Sequence, residues 1–472
     1  MPDARTLFAK TVGIPLKSLL KGEKRAAIFR ELLETQWYDR ERLHALRTAR
    51  LKRLLVEVTG NVPFYRDEMR RLGSSPSNDD PWQILRALPI LDKDLYRSLG
   101  DALASEGPRC RPLLGHSSGT TGARLEVRVD RAAAPYRYLA GYRGRSWWGI
   151  APGDPEVKIW GSGRLTARTA LDKALAIRRE VKEWVTGVTL VSPFFQTDVE
   201  LGKAAHALFR RKPVVVFGYA NSIAMLSSFM LRTQMRPGPG WPKAVFFTSE
   251  TMTEHQKDIV RRAFAAPVVA EYGSVEAGVM AFGCPAGGLH TSDDISIVEI
   301  VGEDGVLAAD EVGEVVVTSL MATDFPLIRY RQGDLASIAS RSCACGRTLG
   351  TLSTLQGRLN DVLRSPSGGI IDFIVFDQAM KDQASIRRFR IVEKAAGDID
   401  VLCQLHAGAK WSDADRERLV SQCAALLPKD VRISTKVVGE LQQERSGKFR
   451  IIVPKGGNWV DTGTSPPAHL RP

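Results

Sequence analysis

Residues 214–276 read VVVFGYANSIAMLSSFMLRTQMRPGPGWPKAVFFTSETMTEHQKDIVRRAFAAPVVAEYGSVE. Three short apolar runs, Val214 to Phe217, Ala244 to Thr248 and Val268 to Glu271, are rich in β-branched and aromatic residues. Between them lie Ile223 to Arg232 and Glu254 to Phe264, which repeat apolar positions at helical spacing. Buried strands alternating with amphipathic helices predict a mainly parallel α/β sheet. Downstream the pattern changes. Ile295 to Val301, the turn Glu303-Asp304-Gly305 and Glu314 to Ser319 read as a β-hairpin unit, so antiparallel structure follows the parallel region.

Upstream, Glu23 to Leu72 reads as helix, with Ile28, Leu32, Leu33, Leu43, Leu46, Leu51, Leu54 and Leu55 at three-and-four spacing. The turn-like Gly60-Asn61-Val62-Pro63 interrupts it. Toward the C-terminus a boundary falls near Gly357 to Leu363. Beyond it, Arg388 to Glu393, Ile399 to Gln404 and Val431 to Val438 read as strands and Asp413 to Leu427 as a helix, enough for a small α+β domain. The expected division is 1–358, helical over 1–75, and 359–472.

Composition bounds the function. The 472 residues exceed what one core usually serves, and 44% hydrophobic with 25% charged is globular. The net charge of +13 suits polyanionic small molecules as well as nucleic acid. Its basic runs, Arg40 to Arg53 and Arg387 to Arg390, are interleaved with apolar residues and carry no nucleic-acid motif, so solvated helix faces are the better reading. No stretch is apolar enough for a membrane span. Lys10 and Lys17 interrupt the apolar N-terminus and no small-residue cleavage site follows, so a signal peptide is not expected. Six cysteines are too few for a disulfide framework, and a cytoplasmic protein is expected.

Ser117-Ser118-Gly119-Thr120-Thr121-Gly122 combines two glycines with four hydroxyls, a pattern whose inward N–H groups suit phosphate oxygens. It lacks the Gly-Lys-Ser/Thr of a Walker loop. Five more segments follow: Thr248-Ser249-Glu250-Thr251, Glu271-Tyr272-Gly273-Ser274-Val275-Glu276, Arg329-Tyr330-Arg331-Gln332-Gly333-Asp334, Gly357-Arg358-Leu359-Asn360-Asp361 and Arg445-Ser446-Gly447-Lys448. In this order they resemble the motifs of the adenylate-forming superfamily, and most of all its phenylacetate–CoA ligase branch with the capsule-polysaccharide-associated relatives. The resemblance runs from Asn61-Val62-Pro63-Phe64-Tyr65-Arg66 to about residue 455.

The resemblance implies ATP-dependent activation of a carboxylic acid, aryl or arylacetic, as acyl-AMP, then transfer to coenzyme A. An amine acceptor, for instance on a capsule or lipopolysaccharide sugar, is the alternative. Ser117 to Gly122 would hold phosphates; Ser249, Glu250, Thr251, Glu271, Tyr272, Gly273 and Ser274 would line the nucleotide; Asp334 and Arg358 would take the ribose. Glu276 would hold Mg²⁺, and Lys448 would place its charge between carboxylate and α-phosphate. The acid pocket would be lined by Trp147, Trp148, Phe217, Gly218, Tyr219 and Ala220, with Tyr272 and Gly273. Asn360 and Asp361 would form the hinge of a C-terminal lid. Two departures stand out: Ala123-Arg124 replaces the family's Pro-Lys pair, and Asn360 replaces the first hinge Asp. A homodimer is compatible with this reading.

Cys284, His290, Cys343 and Cys345 form a second constellation. Three thiolates and an imidazole suit a closed structural zinc site; unliganded buried cysteines beside a surface histidine are the alternative. Cys110, Cys403 and Cys423 read as packing residues. No Gly-x-Ser-x-Gly elbow or ordered Cys–His–Asn set supports hydrolysis. A catalytically dead binding module would have lost Lys448, Glu276 or Asp334, and all three are present.

Overall fold

The structure is a computed structural model. It describes residues 4–20, 24–107, 111–117, 125–160, 178, 181, 183–193, 195, 197–303, 305–358, 363–367, 370–371, 376, 379–380, 383, 385–442, 449–453 and 455. Ser118 to Gly122, Ala123-Arg124, Cys110, Asn360-Asp361 and Lys448 therefore lie outside the described residues, and of Ser117 and Arg358 only the backbone is described.

The strands in chain order are β1 Leu113–Ser117, β2 Leu125–Val129, β3 Glu156–Ile159, β4 Val188–Val191, β5 Val215–Tyr219, β6 Ala244–Thr248, β7 Val268–Ser274, β8 Gly278–Gly283, β9 Leu289–Thr291, β10 Ser296–Gly302, β11 Gly305–Val306, β12 Gly313–Ser319, β13 Tyr330–Ile338 and β14 Thr351–Arg358. Twelve of them form one sheet in the order β11-β10-β12-β13-β14-β9-β8-β7-β6-β5-β3-β4. The strands β4, β3, β5, β6 and β7 are mutually parallel. From β8 onward every pairing is antiparallel. The expected parallel region and hairpin are thus two halves of a continuous sheet. The pair β1–β2 stands apart.

Both faces of the parallel half are covered, which is why its central strands β5 and β6 are apolar almost throughout. Helices Asp198–Arg211, Ala220–Arg232 and Glu254–Phe264 close one face over Val216, Val245 and Phe247. Capping boxes at Thr197/Glu200 and Thr253/Gln256 start the first and third. Helix Ala134–Ser146 covers the other face, over Phe217, Phe246 and Phe282. It lies close because of Gly144, where a Cβ would fall 2.1 Å from the Phe282 ring.

The N-terminal run is helical as expected, in pieces Arg25–Thr35, Arg40–Asn61 and Pro63–Leu72. Pro63 opens the last piece at a position where its missing N–H costs nothing. Leu32, Leu51, Leu54, Leu55 and Val58 pack into the core under the antiparallel half.

Past residue 362 come β15 Leu363–Arg364, β16 Ile370–Ile371, β17 Ile386–Ala395, β18 Asp398–Leu405, β19 Arg432–Val437 and β20 Ile452–Val453. The last four form a sheet in the order β19-β18-β17-β20, joined by helix Asp413–Leu426. Its core, including Leu363, Ile391, Val401, Cys403, Leu419 and Cys423, is separate from the others. Cys403 and Cys423 sit there as packing residues. Among the described residues, no helix is long and apolar enough to cross a membrane.

Candidate functional site

Tyr272, Asp334 and Arg358 come together where the two halves of the sheet meet. The strands β13 and β14 pair so that Asp334 lies directly opposite Arg358. The Tyr272 hydroxyl donates to Asp334 Oδ2 at 2.8 Å. This fixes one carboxylate oxygen and orients the other, as a seat for a diol would require.

Glu276 lies in the turn after β7, half-buried. Nearby is Arg137, which burial lowers to about 10 against the pull of Glu276. The Tyr330 hydroxyl is raised by burial first and by the Glu276 carboxylate second, so it stays protonated. The hairpin β1–β2 places Ser117 opposite Leu125, so its strands flank the predicted phosphate segment.

At the carboxyl ends of β5 and β6, Ser249 adopts φ 69°, a left-handed conformation uncommon outside glycine. Such strain concentrates at functional sites. Glu250 accepts from the Asn221 backbone N–H at 2.9 Å and its side-chain amide at 3.1 Å. Its other oxygen accepts from the Phe449 N–H at 2.7 Å, while Asn221 Nδ2 also donates to the Phe449 carbonyl at 3.3 Å. The C-terminal segment is therefore held against the parallel sheet at the residue after Lys448.

The aromatic side chains of the expected acid pocket lie on one face of the parallel strands, Trp147 and Trp148 toward the amino ends and Tyr219 at a carboxyl end. Trp147 lies edge-on to His290 at 5.6 Å and donates to Gln36 Oε1. Trp148 donates to the Gly283 carbonyl. Both lie toward the amino ends of the parallel strands, where Lys243, just before β6, donates to the Gly149 carbonyl. Both pack against the cluster that holds Val215, Phe217, Phe246 and Phe282. Trp160, absent from the expected set, stacks on Phe217 at 5.7 Å and on Tyr219 at 4.5 Å. Its only sequence signal is its position at the carboxyl end of a parallel strand.

A buried charge cluster underlies these rings. Arg145 pairs with Glu156 at 2.9 Å and approaches Glu271 at 3.9 Å, within cation–π distance of Tyr142, Phe217 and Phe246. Burial raises the Glu271 pKa, with Arg145 and then Lys158 pulling it back. A second buried pair, Arg143 with Asp294 at 2.7 Å, ties the same helix to Thr35.

Cys284, His290, Cys343 and Cys345 converge, with their ligand atoms all within 4.8 Å of one another. Cys284 Sγ is 3.6 Å from Cys343 Sγ, and His290 Nε2 is 3.1 Å from Cys345 Sγ. A regular tetrahedron with Zn–S bonds of ~2.3 Å separates its ligands by ~3.8 Å. His290 Nδ1 is 3.0 Å from the Leu349 carbonyl, which leaves Nε2 facing the sulfurs. Burial lowers the His290 pKa and raises that of Cys284 to about 11. The cluster joins the β8–β9 turn to the loop between β13 and β14.

No family model matches the chain. It is 26% identical over 347 residues to a phenylacetate–coenzyme A ligase of Thermus thermophilus, covering 70% of this chain and 73% of that protein. It is 34% identical over 266 residues to an indoleacetate–lysine synthetase of Pseudomonas savastanoi, covering 54% of this chain and 60% of that one. The fold matches a crystal structure of 2-hydroxyisobutyryl-CoA ligase in the postadenylation state, in complex with R3-HIB-AMP. The TM-score is 0.71 at 20% identity, over 89% of this chain and 90% of that chain. With its ordered motifs and its fold, the chain is similar to enzymes of the adenylate-forming superfamily, among them a phenylacetate–CoA ligase.

Proposed function

We propose that this protein is an AMP-forming acid ligase that activates an aryl or arylacetic acid and passes the acyl group to coenzyme A. The observation that carries this reading is the Tyr272 hydroxyl donating to Asp334, whose register partner on β14 is Arg358. In the first step a carboxylate oxygen attacks the α-phosphorus of ATP. The bond to the bridging oxygen breaks, and its electron pair leaves with pyrophosphate. In the second, the thiol sulfur of coenzyme A forms the thioester and AMP leaves.

Both steps bring anions together, so the chain's work is positioning and neutralisation. Ser117 to Gly122 with Arg124 would hold phosphates, and Ser249, Thr251, Gly273 and Ser274 would line the nucleotide. Lys448 would bridge carboxylate and α-phosphate. Glu276, a carboxylate beside the nucleotide seat, fits a hard cation; Mg²⁺ bound there would neutralise phosphate charge. Phe217, Gly218, Tyr219 and Ala220, with Trp160, would form the acid pocket. Residues 1–358 would act as the adenylation domain and 359–472 as a lid that turns at Asn360 and Asp361.

Acid-dependent ATP–pyrophosphate exchange across a library of acids tests the reading directly. Folded protein that exchanges with none of them would refute it. Asp334→Ala should raise the KM for ATP about a hundredfold, since hydrogen bonds to a charged group contribute ~1.5–3 kcal/mol. An unchanged KM would remove Asp334 from the nucleotide site.

An amide-forming second step is favoured by one observation, the likeness to indoleacetate–lysine synthetase. Release of hydroxamate from hydroxylamine does not separate the two. Steady-state turnover with coenzyme A against turnover with lysine does.

The soft S₃N donor set of Cys284, His290, Cys343 and Cys345 fits zinc, as a structural clamp between neighbouring loops. Metal analysis should return about one zinc per chain. Chelation, or Cys343→Ser, should lower the melting temperature by several degrees. Metal-free protein of equal stability would argue against the clamp.

A further inference from the structure

Resting on the acid-ligase reading, we propose that Glu271 is the specificity-determining residue of the acid pocket, and that the pocket takes an aromatic acid bearing a neutral hydroxyl or N–H donor. The argument begins with sheet register. Tyr219 pairs with Thr248, and Thr248 with Glu271. Lys158 pairs with Phe217, so Trp160, two residues on, extends the same row. Trp160, Tyr219, Thr248 and Glu271 thus line one row across four neighbouring strands, near the carboxyl ends of the parallel set. Open parallel sheets bind ligands at that edge.

Glu271 is poorly satisfied where it stands. Its side chain is 10% exposed, and its ion-pair partner Arg145 is 3.9 Å away, beyond hydrogen-bond length. Among the described residues nothing donates a hydrogen bond to it. A largely buried carboxylate with no donor of its own gains from a hydrogen bond that a ligand supplies. Gly141 packs directly against it, since a Cβ there would lie 3.5 Å from Glu271 Oε2, at contact distance. Tyr142 and Tyr138, with ring centroids 4.9 Å apart, continue the wall on that helix.

Charge balance fixes the type of donor. Arg145 and Lys158 offset Glu156 and Glu271, so a fixed ammonium on the substrate would leave an uncompensated positive charge. A phenol, an aniline or an indole N–H supplies the hydrogen bond and adds no charge. A plain hydrocarbon ring would leave the carboxylate unpaired, and sites of this kind discriminate strongly against analogues that lack the donor.

The test is acid-dependent ATP–pyrophosphate exchange with matched probes: 4-hydroxyphenylacetate against phenylacetate, 4-aminobenzoate against benzoate, and indole-3-acetate against its 1-methyl derivative. Wild type should favour the donor-bearing member of at least one pair by about tenfold or more in kcat/KM. Glu271→Leu should bring that ratio close to one, and Glu271→Gln, which keeps an acceptor oxygen, should retain part of it. Ratios within about threefold for every pair in wild type, or a preference that survives Glu271→Leu, would overturn the proposal and leave adenylation standing. Exchange with no acid at all, by protein that is folded and binds ATP, would instead refute the acid-ligase reading and the proposal with it.

Discussion

Lys448→Ala is expected to lower acyl-AMP formation by roughly 10²–10³-fold, the range for loss of one preorganised charge-stabilising donor. Use of preformed acyl-AMP should change little. The reason lies in where the C-terminal segment is fastened. Phe449, the next residue, donates its N–H to Glu250, and its carbonyl accepts from Asn221. Both partners sit where β5 and β6 end. Arg388 on β17 reinforces the contact by donating to the Phe195 carbonyl across the same interface. A lysine next to so fixed a backbone would offer a point charge on a flexible stem. That charge is needed while carboxylate and α-phosphate approach, and has no task once pyrophosphate has gone. Acid-dependent ATP–pyrophosphate exchange reads the first step; thioester formation from synthetic acyl-AMP reads the second. Equal losses in both would assign Lys448 to folding or to the acceptor step.

What was legible in the sequence follows the range of the physics. The apolar runs at β5, β6 and β7 announce strands because strands buried on both faces must be apolar along their length. The helices between them announce themselves by period and by the Thr197 and Thr253 caps. The Cys and His residues are legible because their types are scarce in this chain and their chemistry is specific. Pairings across long separations are not. Nothing in the spacing of Asp334 and Arg358 says that they face one another, and a one-residue slip of β13 on β14 would separate them. Aromatic character does not reveal which rings stack, so nothing in the sequence singles out Trp160 beside Phe217 and Tyr219. The strand before Trp160, Glu156–Ile159, is four residues long and half charged, which hides it from any hydropathy pattern. Its Glu156 and Lys158 become intelligible only beside Arg145 and Glu271, residues brought together by three different elements.

Asn360→Pro is expected to leave adenylation nearly intact and to abolish steady-state product formation, giving one burst of pyrophosphate and then a stall. Four residues, 359–362, separate Arg358, the last residue of β14, from Leu363, the first residue of the C-terminal core. Any reorientation of that core against the large sheet has to be absorbed by backbone rotation over this short connection. Asn tolerates unusual φ and ψ, whereas proline holds φ near −65° and removes an N–H. The contacts of Phe449 with Glu250 and Asn221 hold the C-terminal segment against the carboxyl ends of β5 and β6, the arrangement the proposed first step would need. Those contacts must break if the acceptor is to approach the acyl-AMP from the same side, and a proline at 360 would block that change without touching the nucleotide seat. Rapid-quench measurement of pyrophosphate and thioester in one reaction distinguishes the outcomes. A burst close to one equivalent per chain with little thioester supports rotation at 360. Full turnover of both products in the proline variant would show that the two steps run in a single arrangement, with Lys448 and the acceptor sharing the site.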